Sequence, residues 1–359
     1  MSKICVLLFF AFGLAFAFAL IAERNADELC IRDDSKPGYC MRRRNCSFLK
    51  ELIARKNQLT QAERSYFRRS KCPSRRNDKR YVCCEEKEKI DQAIDNLYKE
   101  ECGRFETDLI DKGHEIQLMS RPWMALLYLK FKDGTEKFAC GGTLISKRYV
   151  LTAAHCFNEK ELLSVRLGEH NINKERDCIG LNYCAPPVED IEIERIFVHE
   201  KYSDQTHHND IALVKLSRDV EFKRSIWPIC LPTIETLQQK LNNKTTFYVT
   251  GWGKTEFAEF SDTPMETLIN RIDHAACQES FPGRRIVSTH ICAGGSNGDS
   301  CNGDSGGPLS NIMYFNDFQR FVQSGVVSFG SRNCSSKHPG VYTNVQSYIR
   351  WIAYKIATK

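Results

Sequence analysis

The sequence predicts an all-β domain closed by a C-terminal helix and preceded by a small disulfide-held module. Three observations carry this. Runs rich in β-formers, Met124 to Leu129, Gly142 to Ser146, Tyr149 to Ala153, Ile191 to Val198, Ile211 to Leu216, Thr246 to Thr250 and Gln323 to Phe329, alternate with Gly- and Pro-containing turns, the pattern of a barrel or sandwich. Val345, Tyr348, Ile349, Ile352 and Ile356 recur at helical spacing, so one amphipathic helix closes the chain. The cysteines fall into two groups along the 359 residues, a length that suits one large domain and a smaller one.

Residues 1–22 come first. Lys3 precedes an apolar run from Ile4 to Ala22 with small residues at Ala17 and Ala19, which reads as a secretory signal. A single membrane anchor is the alternative, because the run is almost long enough to span a bilayer. Secretion places the chain in an extracellular, oxidising compartment where thiols pair. Cys5 lies in the signal, which leaves sixteen of the 17 cysteines, an even number.

Six of these, Cys30, Cys40, Cys46, Cys72, Cys83 and Cys84, crowd residues 30–84, where large apolar side chains are few. Three bridges, each contributing about 2 to 5 kcal/mol, would hold what a core cannot. Spacing leaves all 15 connectivities of six cysteines open. Thr60-Gln61-Ala62-Glu63 reads as a capping box and Arg80 to Cys83 as a strand. The module carries sixteen Lys and Arg against five Asp and Glu, a charge suited to an acidic partner protein or an anionic surface, or to a solvated face that balances acidic segments elsewhere. Nucleic acid does not suit a secreted, disulfide-held module. Residues 85–109 read as an acid-rich linker and activation segment, with weak helical spacing at Ile90, Ile94 and Leu97.

The chemistry centres on Cys301-Asn302-Gly303-Asp304-Ser305-Gly306-Gly307. Glycines on both sides of a Ser allow a sharp turn and bring backbone amides close to a substrate. A hydroxyl needs a base and an orienting carboxylate, and Ala154-His155-Cys156 and Asn209-Asp210-Ile211 offer both upstream. The order His, Asp, Ser in these segments closely resembles that of chymotrypsin-like serine proteases, from about Ile110 to the C-terminus. Six cysteines ending in an adjacent pair ahead of such a domain resemble the clip domain of arthropod protease zymogens.

The resemblance implies two six-stranded β-barrels with the site between them, over residues 110–359. It implies His155 as general base, Asp210 as its orienting partner, Ser305 as nucleophile, and the amides of Gly303 and Ser305 as the oxyanion hole. Asp299 would floor a pocket for Arg or Lys, with Gly330 and Gly340 as its walls; Phe329 stands where the family commonly has Trp. Activation would cut between Leu109 and Ile110, freeing an amine to pair with Asp304. Leu109 departs from the family's Arg or Lys and implies an upstream activating protease with an apolar preference; a rival cut would follow Arg104. Implied bridges join Cys30 with Cys83, Cys40 with Cys72, Cys46 with Cys84, Cys102 with Cys230, Cys140 with Cys156 and Cys301 with Cys334. Cys178 and Cys184 share a short loop and pair there, and Cys277 and Cys292 are also counted as bridged.

Clip proteases with that extra loop bridge often hold calcium, for which Glu169, Asn171 and Asp177 offer hard oxygen donors; an acidic solvated loop is the alternative. Asn45, Asn243 and Asn333 are glycosylation acceptors by motif. The expected function is a secreted zymogen of a trypsin-like endopeptidase that cuts proteins after Arg or Lys in an extracellular cascade of innate immunity, with a serpin as its inhibitor. Such cascades process the Toll ligand or activate prophenoloxidase. The rival class is a non-catalytic clip homologue acting as a binding cofactor. A digestive protease fits the chemistry but not the basic module.

Overall fold

The computed structural model describes residues 29–31, 37–43, 46, 49, 60–61, 72, 81–84, 87–105, 114–180, 182–253, 261–294, 304–330 and 338–358. The signal, Leu109, Ile110, Asp299, Cys301, Gly303, Cys334, Asn45 and Asn333 lie outside them. The chain forms two compact units that divide between Ile90 and Asp91.

In the first unit β1 (Leu29–Ile31), β2 (Pro37–Arg42) and β3 (Tyr81–Cys84) make an antiparallel sheet in that order. Bridges join Cys30 to Cys83, Cys40 to Cys72 and Cys46 to Cys84. Its buried cluster is Cys30, Cys40, Cys72, Tyr81 and Cys83, so cystines take the place of an aliphatic core.

The stretch expected as a tether is, from Lys87 to Lys99, the helix α1. Of the spaced residues Ile90 and Leu97 are buried and Ile94 is half-buried, with Ala93 buried beside it, while Tyr98 Oη donates to Asn316 Oδ1 at 2.9 Å. After it, the backbone of Gly103 donates to Pro228 O (2.7 Å) and accepts from Phe321 N–H (2.9 Å), next to the Cys102–Cys230 bridge.

The second unit continues through β4 (His114–Glu115), β5 (Met124–Phe131), β6 (Glu136–Ser146), β7 (Tyr149–Thr152), β8 (Lys160–Leu167), β9 (Cys178–Ile179), β10 (Tyr183–Cys184), β11 (Glu189–Ile191), β12 (Ile193–Val198) and β13 (Ala212–Leu216). Then follow α2 (Glu235–Asn242), β14 (Thr246–Gly251), β15 (Met265–Ile272), α3 (His274–Ser280), β16 (His290–Gly294), β17 (Pro308–Phe315), β18 (Phe318–Phe329), β19 (Gly340–Asn344) and α4 (Ile349–Thr358).

One sheet runs β11-β8-β5-β6-β7-β13-β12. Only Glu192 separates β11 from β12, and they bond to opposite ends of the sheet, so the chain itself joins those ends. The other runs β14-β17-β18-β19-β16-β15 and closes through β14 and β15 into a six-stranded ring, with β4 added outside. This is the chymotrypsin-like architecture. Phe247, Val249, Ile269, Leu309, Val327 and Tyr342 fill the closed ring.

On the opposite face of β14 and β15 from that core, Arg121 meets Glu266 through two bonds, Nη2 to Oε1 at 2.7 Å and Nε to Oε2 at 2.8 Å, and Thr250 Oγ1 adds a third at 2.6 Å. The closing helix starts later than its spacing suggests, because Val345–Tyr348 is a 3-10 turn. Among the described residues no helix is long and apolar enough to cross a membrane.

Candidate active site

His155 sits on the 3-10 turn Ala154–Phe157 after β7, and the Cys140–Cys156 bridge ties that turn back to β6. Its Nδ1 lies 2.8 Å from Asp210 Oδ2, and its backbone N–H donates to Asp210 Oδ1 at 2.9 Å. With Nδ1–H turned to the carboxylate, Nε2 is left with the lone pair.

Asp210 is fully buried, two residues ahead of β13. Burial alone would raise its carboxyl; the His155 charge and the hydrogen bonds from the His155 ring, the Ser328 hydroxyl and the His155 N–H outweigh it and hold the group below its ordinary range. The backbone is pinned too. Thr343 Oγ1 donates to Asp210 O at 2.7 Å, and the preceding Asn209, at φ 56°, accepts from Tyr348 Oη at 3.0 Å.

The backbone of the Ser305 turn is brought onto the strands ahead of His155 because Gly306 permits a close approach. Gly306 has φ 81°, and a Cβ there would stand 2.2 Å from Thr152 Oγ1 and 2.5 Å from Gly141 O. The turn therefore lies directly on β6 and β7, where Gly141 N–H donates to Ser305 O at 2.8 Å. These are the strands that lead into His155.

Asp304 Oδ1 accepts from Gly253 N–H at 2.9 Å. A Cβ at Gly251 or Gly253 would stand 2.1 or 2.5 Å from the Asp304 carboxylate, so both glycines make room for it. Gly330 and Gly340 are neighbours, a Cβ on the first lying 3.6 Å from the second's Cα. Bridges also join Cys178 to Cys184 and Cys277 to Cys292.

Glu169 and Asp177 are close enough to feel each other. Burial pushes the Glu169 carboxyl up; the His170 N–H and Arg166 oppose this, and the Asp177 charge adds to it. Asp177 Oδ2 accepts from Asn171 N–H at 3.1 Å. The donor types of Glu169, Asn171 and Asp177 suit a hard divalent cation, which would have to share Glu169 with Arg166, its ion-pair partner at 3.2 Å. The cluster of Cys140, His155 and Cys156 does not fit a metal, since both sulfurs are bridged. Asn243 is exposed at the end of α2, open to a glycan.

Ser328 is the group that motif reading missed. It lies in a strand recognised only for its apolar residues, and nothing local marks a buried Ser as the partner of a carboxylate 118 positions away.

Residues 110–352 match the trypsin family model, and residues 30–84 match the regulatory CLIP domain of proteinases. Serine protease grass of Drosophila melanogaster is 38% identical over 347 residues, 92% of this chain and 91% of that protein. The CLIP domain-containing serine protease HP8 of Bombyx mori is 41% identical over 268 residues, 71% of each chain. Phenoloxidase-activating factor 3 of Holotrichia diomphalia is 33% identical over 346 residues, 94% of this chain and 96% of that one. Among solved structures, the Drosophila Grass clip serine protease of the Toll pathway superposes with a TM-score of 0.73 at 35% identity, covering 92% of this chain and 98% of its own.

Proposed function

We propose a function for a chain that belongs to the trypsin family of serine proteases and carries a clip domain: it is the secreted zymogen of an endopeptidase that cuts proteins after Arg or Lys within an extracellular cascade of innate immunity. The observation that carries this reading is His155 held by a buried, ionised Asp210, with the Ser305 turn seated on the strands that deliver the base. Relatives named for the Toll pathway and for phenoloxidase activation support the cascade, and seven described disulfides support an oxidising compartment.

In this reading Ser305 Oγ bonds to the scissile carbonyl carbon as His155 Nε2 takes its proton. The carbonyl π pair moves onto oxygen, where the N–H groups of Gly303 and Ser305 hold it; losing one such donor costs about a hundredfold or more. Collapse breaks the C–N bond, and His155 gives its proton to the leaving amine. Water then repeats the sequence on the acyl-enzyme. Asp299, Gly330 and Gly340 form the pocket that selects a basic side chain.

The cut before Ile110 supplies the cation for Asp304. The rival cut after Arg104 is disfavoured, because the Gly103 backbone is hydrogen-bonded on both sides, Arg104 stacks 4.7 Å over Trp227 and Phe105 meets Phe321 at 4.9 Å. The Cys102–Cys230 bridge keeps the clip domain attached after cleavage. Calcium at Glu169, Asn171 and Asp177 would neutralise the carboxylate repulsion and brace this loop. A serpin is the expected class of inhibitor, and the basic clip domain the part that meets an acidic partner or surface.

The intact Ser305 and its seated turn favour catalysis over a binding cofactor. Fluorophosphonate labelling of the activated chain tests this. Labelling lost in Ser305→Ala, together with cleavage after Arg far exceeding cleavage after Phe, is the expected result; no labelling, or equal rates, overturns it.

A further inference from the structure

Two loops near His155 are tied together by polar contacts that the proposed chemistry does not use. In one, His207 has its ring 6.1 Å from that of His155 and 5.2 Å from that of Phe329. In the other, Arg284 lies 4.6 Å over the face of Phe329 and donates from Nη1 to His207 Nδ1 at 3.2 Å. His208 Nε2 donates to Arg285 O at 3.0 Å, which joins the loops a second time.

The Arg284 loop is rigidly built. Gln278 Nε2 donates to Phe281 O (3.0 Å) and Arg284 O (2.7 Å), while its Oε1 accepts from Ile286 N–H at 2.9 Å. The guanidinium is thus fixed by stacking and by its loop, not by a carboxylate. Among the described residues no acid lies within ion-pair distance of Arg284. The nearby acids are engaged elsewhere: Asp204 Oδ1 accepts from Asn158 Nδ2 and Tyr202 Oη, and Asp210 is buried under His155. Burial, reinforced by the Arg284 charge, lowers His207's pKa despite Asp210, so its ring is neutral near pH 7 and Arg284 carries the charge of the cluster.

Among the described residues, the side of β18 away from β19 has no strand partner beside this cluster. Among the described residues β17 bonds to β18 no farther than Val327, the Val327 N–H going to Gly307 O at 3.0 Å. An extended peptide can add along Ser328 and Phe329, as peptides commonly add to free sheet edges. If the residue before the cut enters the pocket walled by Gly330, the residues ahead of it run back past Phe329.

We propose that Arg284, seated on Phe329 and His207, is a specificity determinant that accepts an acidic side chain two to four residues ahead of the cleaved bond. It rests on the reading that the enzyme cuts after Arg or Lys, and it narrows the substrates to proteins with an Asp or Glu shortly before that basic residue. The charge-assisted contact has its counterpart fixed in advance, so only the substrate side chain is ordered on binding.

The test uses the activated full-length enzyme and fluorogenic tetrapeptide amides ending in Arg, with Ala elsewhere and Asp, Glu, Ala or Lys placed at each preceding position in turn. At one position the acid should exceed Lys in kcat/KM by about three- to tenfold, less at high salt. Arg284→Gln should bring that ratio to within about twofold, Arg284→Glu should invert it, and Arg284→Lys should retain it, each ratio being taken within one variant so that any change in its all-Ala rate cancels. Cleavage of the reference with no acidic preference, or a preference that survives Arg284→Gln, overturns the subsite alone. Failure to cut the reference overturns the basic-residue reading, and the subsite falls with it.

Discussion

Ser328→Ala isolates one donor to the buried carboxylate. Asp210 accepts from the His155 backbone on Oδ1 and from the His155 ring and Ser328 on Oδ2. A hydrogen bond to a charged group contributes about 1.5 to 3 kcal/mol, and Asp210 and Ser328 are both buried. Because the folded chain holds Asp210 below its ordinary range, its ionisation stabilises the fold above the unfolded value, and that contribution is lost as pH falls through the folded value. Removing the hydroxyl lifts the folded value. The penalty is therefore full at pH 7 and shrinks through the acid range, where Asp210 becomes neutral in both proteins. Urea unfolding followed by tryptophan fluorescence measures it, since all 4 Trp lie in the second unit. Other acids titrate alike in both proteins and cancel in the difference. A penalty below about 0.5 kcal/mol at pH 7, or one constant from pH 7 to the acid limit of folding, would refute the reasoning.

Three further outcomes are expected. Gly253→Ala drives a Cβ into the Asp304 carboxylate and should cut kcat/KM by about 10²-fold, read by peptide hydrolysis of the activated enzyme. Glu266→Gln leaves the Arg121 guanidinium buried without its charge partner and should cost about 3 to 5 kcal/mol in urea unfolding, most of it recovered when Arg121→Met and Glu266→Leu are combined. Calcium at 100 times its Kd should stabilise the fold by about 2.7 kcal/mol over EDTA, and Glu169→Gln should abolish the gain; superimposed melting curves would remove the site.

Much of the fold was legible because its signals are local. Each β-rich run named from the sequence overlaps a strand, since alternation and Gly or Pro breaks depend on neighbours alone. Residues 85–109 were harder. Ile90, Ile94 and Leu97 carry a helical spacing, but acidic composition hid the helix, whose Tyr98 bonds to Asn316, remote along the chain. The start of the closing helix also shifted: apolar spacing at Val345 and Tyr348 serves a buried 3-10 turn as well as it serves an α-helix, so the spacing does not tell the two apart.

By itself the sequence determined the chemistry on offer: a Ser between glycines, a His and an Asp in a telling order, and cysteines split between two units. Such signals are residue types at short spacing, and composition preserves them. Only the tertiary structure decided who serves them. Ser328 reaches Asp210 across 118 positions, Gly306 needs its hydrogen because Thr152 stands where a Cβ would be, and Arg284 meets His207 only because two loops are bonded to each other. These choices are fixed by close packing between segments remote along the chain, where a contact leaves no local pattern to read.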